Sequence, residues 1–158
     1  MIKKIIFSLL AISALFACDD CEETIEQAGK IIAKNPNETG AYNSRAIAYY
    51  KLKEYHRAIE DFTKAIEITP DFAALYVNRG LTFLNMEFYD RAIDDFNQVI
   101  ALEPNGSSTH YHNRGLAYFR LGELKNAESD AEKACEMGQC YLKNIIESYK
   151  FKQATPQK

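Results

Sequence analysis

The sequence predicts an all-α solenoid: antiparallel helix pairs stacked on one another, with a capping helix at each end. Three observations predict it. Pro36, Pro70 and Pro104 recur every 34 residues, each at the close of a helical pattern. Small residues keep the same rhythm at Ala46, Gly80 and Gly115, and again at Ala58, Ala92 and Ala127. Around them the apolar residues hold helical spacing, as Ala92, Ile93, Phe96, Val99 and Ile100 do.

Taken in order, residues 1–17 stand apart as a signal peptide. Lys3 and Lys4 precede the uncharged run IIFSLLAISALF, the pattern of a secretory leader. A run of twelve uncharged residues, ten of them apolar, falls short of the about twenty that a membrane-spanning helix takes. The run closes on Leu15-Phe16-Ala17-Cys18, which resembles the lipobox of bacterial lipoproteins. That resemblance implies lipidation of Cys18 and a place at the periplasmic face of a bacterial membrane. Asp19 favours the inner membrane; cleavage by an ordinary signal peptidase would instead give a soluble periplasmic chain.

Residues 18–38 read as an N-terminal half-repeat or capping helix, from Ile25, Ala28, Gly29, Ile31 and Ile32. Three full units come next, at 39–72, 73–106 and 108–141. Laid over one another they read AYNSRAIAYYKLKEYHRAIEDFTKAIEITP, LYVNRGLTFLNMEFYDRAIDDFNQVIALEP and HYHNRGLAYFRLGELKNAESDAEKACEMGQ. Asn37, Thr39, Asp71 and Ser107 to Thr109 offer side-chain oxygens to the unpaired amides at helix starts. Each proline drives its predecessor out of the helical region and so stops the helix before it. Residues 139–152 form a C-terminal capping helix, with Tyr141, Leu142, Ile145, Ile146 and Tyr149 on one side and Lys143, Asn144, Glu147 and Ser148 opposite. Residues 153–158 are expected to be a disordered tail.

The three units resemble the tetratricopeptide repeat over about residues 39–141. Tyr42, Tyr76 and Tyr111 open the first helix of each, and Tyr49, Phe83 and Tyr118 lie further along it. Phe62 and Phe96 mark the second helix, with Ala131 as their third counterpart. The resemblance implies a right-handed superhelix whose first helices line a concave groove for a segment of a partner protein. The groove residues would be Asn43, Ser44, Ile47 and Tyr50, then Val77, Asn78, Leu81 and Leu84, then His112, Asn113, Leu116 and Phe119. Ser44, Asn78 and Asn113 resemble an asparagine ladder, whose amides donate to and accept from a peptide backbone. Arg45, Arg79 and Arg114 are expected to serve structure between helices. The carboxylate clamp of chaperone-binding relatives needs lysines and an arginine where this chain carries Asn43, Ile47 and His112.

No constellation points to catalysis, a metal or a cofactor. His110 and His112 are two apart and diverge on a helix, and His56 stands alone; all three are expected to be solvated or partner-facing. Glu60-Asp61 and Asp94-Asp95 are likewise expected at the solvated surface. Cys135 and Cys140 flank Gly138, which can take a left-handed turn; either they pair as a disulfide or they are two buried thiols. Cys18 and Cys21 have CxxC spacing, and lipid on Cys18 would leave Cys21 a free thiol. Removing residues 1–17 takes away two lysines and no acids, leaving 17 basic against 22 acidic side chains. Such a surface argues against nucleic acid. The expected function is a non-catalytic adaptor in the bacterial envelope that binds another envelope protein. The alternatives are a thiol-active periplasmic factor using Cys18 and Cys21, and a self-associating assembly factor that forms a homo-oligomer.

Overall fold

The structure, a computed structural model, describes residues 20–154. The described residues form eight α-helices and no strand. They divide into two compact units, one ending at Pro70 and one beginning at Asp71.

The first unit holds α1 (Cys21–Lys34), α2 (Thr39–Lys51) and α3 (Tyr55–Ile68). The α2–α3 pair closes through a three-residue turn, where the Glu54 amide donates to the Tyr49 carbonyl at 2.9 Å. Ala46 and Ala58 are both fully buried where the helices cross, and Tyr49 and Phe62 fill the space beside them. Bulkier side chains at the two alanines would hold the backbones apart. Ile25 of α1, with Ile47 and Tyr50, packs onto the same cluster. The Thr39 and Thr69 hydroxyls meet at 2.6 Å and join the start of α2 to the residue after α3.

The second unit holds α4 (Ala73–Asn85), α5 (Tyr89–Leu102), α6 (Ser108–Leu121), α7 (Leu124–Glu136) and α8 (Tyr141–Ala154). α4 pairs with α5 and α6 with α7; α6 also rests on α5, and α8 rests on both α6 and α7. Gly80 is small for a reason: a Cβ there would lie 3.0 Å from Cε1 of Phe96. Phe96 and Val99 are fully buried, and burying each such side chain favours folding by about 1.5–3 kcal/mol. Leu142 and Ile146 of α8 complete a second cluster with Ala127 and Ala131.

Each pair also carries an internal ion pair. Arg45 Nε and Nη2 donate to Asp61 at 2.7 and 2.8 Å. Arg79 reaches Asp95 at 3.0 and 2.7 Å, and Arg114 reaches Asp130 at 2.8 and 2.7 Å. The arginines thus tie first helix to second. Asp61 and Asp95, expected at the solvated surface, are buried instead, at 6% and 3% exposure. Their helical phase turns them inward, and the guanidinium makes that burial tolerable. The bond to Asp61 holds the Arg45 guanidinium more firmly protonated than usual, and Asp130 does the same for Arg114. Burial pushes the Asp95 carboxyl above the ordinary carboxylate range, even against the opposing pull of Arg79.

Several local expectations change. Ser107 alone acts as an expected side-chain cap, accepting from the Thr109 amide at 3.2 Å. The caps of α2 and α4 are Glu38 and Phe72, without a side-chain bond; packing of the apolar faces sets those helix starts. α8 continues through Ala154, so residues 153 and 154 are helical rather than tail. Of its five expected core residues only Leu142 and Ile146 are buried. A single stripe of a helix resting on two others covers one strip of surface, and the neighbouring stripe stays open.

Candidate functional site

The expected groove residues fall into both units. In the first, Ser44 is exposed while Asn43, Ile47 and Tyr50 are half-buried. Ile47 and Tyr50 lean on the α2–α3 core, and the Tyr50 ring lies 5.7 Å from Tyr55. In the second unit, Val77, Asn78, Leu81 and Leu84 of α4 are half-buried, as are His112, Leu116 and Phe119 of α6. Asn113 is 9% exposed. Ser44, Asn78 and Asn113 therefore share a helical phase but present unequal surface.

α8, expected as a C-terminal cap, also supplies a wall. The Tyr149 ring meets Phe119 edge-on at 5.5 Å, and Tyr141 lies 6.4 Å from His112. Ile145 sits between the two tyrosines in sequence and lines the same side. Phe119, Tyr141, Ile145 and Tyr149, with Asn144, Ser148 and Lys152, border an open concavity of about 480 Å³. Tyr141 is 69% exposed and Tyr149 41%. The signal was present in the sequence, because Tyr141, Ile145 and Tyr149 recur every four residues. It was merged with the adjacent stripe of Leu142 and Ile146.

His112, expected to be solvated or partner-facing, is half-buried. Burial lowers its pKa, which favours the neutral ring. The Nδ1 atoms of His112 and His110 are both buried without a hydrogen-bond partner among the described residues. His110 Nε2 stands 3.9 Å from a Glu103 carboxylate oxygen. His56 is exposed. No cluster of His, Cys, Asp and Glu able to hold a metal occurs among the described residues. The concavity beside α8 thus offers apolar and aromatic area edged by the Asn144 amide, the Ser148 hydroxyl and the Lys152 ammonium group.

Cys135 and Cys140 are joined as a disulfide across the turn at Gly138, whose φ is +95°. Cys21 is 1% exposed and disulfide-bonded, not the free thiol expected beside a lipidated Cys18. Cys18 lies outside the described residues, as do residues 1–17. No described helix is long and apolar enough to cross a membrane.

Comparison with known proteins places this geometry. A family profile described as tetratricopeptide repeat matches residues 40–72, and a second of the same description matches residues 77–139. No curated protein sequence matches the chain. Among solved structures, a MamA protein is 25% identical, with 87% of this chain and 70% of that one covered at a TM-score of 0.70. The first TPR of Spaghetti (RPAP3) bound to the HSP90 peptide SRMEEVD is 24% identical over 75% of this chain and 94% of that one, TM-score 0.67. YrrB, described as a TPR protein with an unusual peptide-binding site, is 23% identical over 72% and 58%, TM-score 0.64.

Proposed function

Because the chain belongs to the tetratricopeptide repeat family, we propose that it is a non-catalytic adaptor of the bacterial cell envelope, binding a segment of another envelope protein along its first helices and α8. One observation carries this: beside a half-buried Phe119, the Tyr141 and Tyr149 rings are left open to solvent. Aromatic groups at such exposure are a cost to a chain that binds nothing, and they are the residue types that concentrate binding energy when a partner covers them. Relatives seen with peptides agree with a protein-binding role and contribute the fold.

Export is supported by the leader pattern of residues 1–17 and by the Cys135–Cys140 disulfide, which suits an oxidising compartment. Anchoring through lipid on Cys18 belongs to the same proposal. A cysteine sulfur that carries lipid cannot also form a disulfide. Intact mass separates the two states, since a diacylglycerol thioether adds mass and a disulfide removes two hydrogens. The thiol-active alternative is disfavoured by the burial of Cys21.

The test is binding. The chain is used to capture partners from envelope membranes, and the captured protein is then titrated against the chain and two variants, Phe119→Ala with Tyr149→Ala and Asn78→Ala with Asn113→Ala. Retention of full affinity by the aromatic variant would remove α8 from the site. Retention by the amide variant would dispose of the ladder.

A further inference from the structure

The carboxylates of the chain are unevenly placed. It holds 22 Asp and Glu residues, yet none lies in α2, α4 or α6, whose charged side chains are Arg45, Lys51, Arg79, Arg114 and Arg120. Exposure does not demand this: Glu60, Asp94 and Glu132 stand in solvent on α3, α5 and α7, whereas exposed positions of α4 and α6 carry Ala74, Asn85, Thr109 and Arg120. The single acid of α8, Glu147, lines a cleft on the α7 side of that helix, with Glu128 and Glu132. On the other side, no described Asp or Glu lines the concavity bordered by Phe119, Tyr141 and Tyr149, and its one charged lining group is the Lys152 ammonium. Arg120 lies one helical turn beyond Leu116, on the same side of α6. Lys152 and Arg120 are both exposed, and neither is ion-paired among the described residues. Lys150, by contrast, reaches Glu128 at 2.6 Å.

Resting on the reading that this surface binds a segment of another protein, we propose that the segment is acidic: aliphatic side chains of the partner cover Phe119, Ile145 and Tyr149, and carboxylates flanking them meet Lys152 and Arg120. The two parts do different work. Apolar contact supplies the area, and the rings are the groups that concentrate binding energy. Charge supplies the selection, because complementary and like charges decide between partners more than they add affinity. A carboxylate arriving here meets cations and no lining carboxylate. An ammonium group arriving here meets Lys152 and Arg120, with no lining acid to receive it. The concavity is open, so the segment can run through it, and the carboxylates are those of Asp and Glu side chains within the partner; no chain end is required.

The experiment uses the full chain, isotope-labelled for NMR, and synthetic peptides with acetylated and amidated ends, so that neither end is charged. All share a leucine–serine core; the flanks are glutamate, glutamine or lysine. The glutamate peptide is expected to shift the amides of Phe119, Ile145, Tyr149 and Lys152. It should bind about tenfold more tightly than the glutamine peptide, the size of two exposed ion pairs, and the lysine peptide should bind more weakly than either. Raising salt from about 0.1 M to about 1 M shortens the screening length from about 10 Å to about 3 Å and should remove most of the preference. Lys152→Glu with Arg120→Glu alters exposed side chains only and should reverse the order of the glutamate and lysine peptides. Phe119→Ala with Tyr149→Ala should weaken all three. Equal affinities, a glutamate preference that survives the charge reversal, shifts confined to other helices, or no binding of any peptide overturns the proposal. So does displacement of the glutamate peptide by phosphatidylglycerol vesicles that shift the same amides, which would make the occupant a lipid surface. The adaptor reading stands or falls separately, on whether the partner captured from membranes loses affinity for the Phe119→Ala, Tyr149→Ala chain.

Discussion

Replacing Arg79 with methionine isolates the ion pair that ties α4 to α5. The Arg79 side chain is 18% exposed and that of Asp95 4%. Methionine keeps the apolar stem but leaves the carboxylate buried among apolar groups. Removing one partner of a buried pair costs about 3–5 kcal/mol, whereas replacing both by apolar groups is often close to neutral. For a chain of this size each kcal/mol lowers Tm by about 2–4 °C, so Arg79→Met should lower it by about 6–20 °C at neutral pH. Asp95→Leu should cost less, because the freed guanidinium keeps access to water and to the Tyr76 and Phe83 rings, each 5.9 Å away. The double variant should lose less than the sum of the two. The pH dependence has a definite sign. Burial already raises the Asp95 carboxyl and Arg79 opposes it; without Arg79 its folded pKa climbs further above the unfolded one. The deficit of Arg79→Met is therefore smallest in acid, where the carboxyl is protonated in both states, and grows as pH rises through the raised pKa. Thermal and urea denaturation followed by circular dichroism, at neutral pH and near the carboxylate range, read all of this. An Arg79→Met loss below about 1 kcal/mol, the level of an exposed pair, or strict additivity in the double variant, would refute the reasoning.

Four further outcomes are expected. Phe96→Ala removes a fully buried ring and should destabilise by about 3–5 kcal/mol in urea unfolding. Cys135→Ser with Cys140→Ser opens a loop of sequence separation 5, and loop entropy sets the loss at about 2 kcal/mol under non-reducing conditions. Burial depresses the His112 pKa, so its folded pKa lies below the unfolded value; stability is intact above the unfolded pKa of about 6.5 and falls as pH drops below it. His112→Gln should then show a shallower fall in Tm between neutral and mildly acidic pH than the parent chain. Tyr149→Ala should weaken partner binding with little change in Tm, whereas Leu142→Ala, at 1% exposure, should reduce both.

The helix pairs were legible because their causes are local and repeated: small residues where helices cross, aromatics beside them, proline after each second helix. The ion pairs were half legible. Arg45, Arg79 and Arg114 carry a structural signature in their strict repetition, but Asp61 and Asp95 point to solvent on the general preference of carboxylates. The recurring separation of 16 residues from each arginine to Asp61, Asp95 and Asp130 was the overlooked signal, since a strict pairing of opposite charges across a hairpin implies contact. α8 was expected over residues 139–152 and runs Tyr141–Ala154, and its sequence pattern reads as one apolar face. Periodicity cannot tell a stripe that is covered from its neighbour that is not, because that depends on how the helix rests on α6 and α7. The helix caps failed for a related reason: polar residues near a helix start are common, and packing decides whether their oxygens turn inward.

Alanine stands in both α1 and α7 where the other second helices bury a phenylalanine. Phe62 and Phe96 fill the space within their own pairs, and the alanines in the same phase, Ala28 and Ala131, leave that volume unclaimed. At Ala131 the volume is claimed from outside the pair: Leu142 of α8 joins the cluster of Ala127 and Ala131 and comes within 2.9 Å of where a Cβ on Gly115 would lie. The α6–α7 pair is thereby sealed, and Ala131 is 1% exposed. Ala28 is itself buried, at 4% exposure, while Ile31 one turn on remains 47% exposed. An apolar phase left uncovered costs stability, and in the α6–α7 pair a helix of the chain itself removes that cost by covering the volume the smaller side chain leaves.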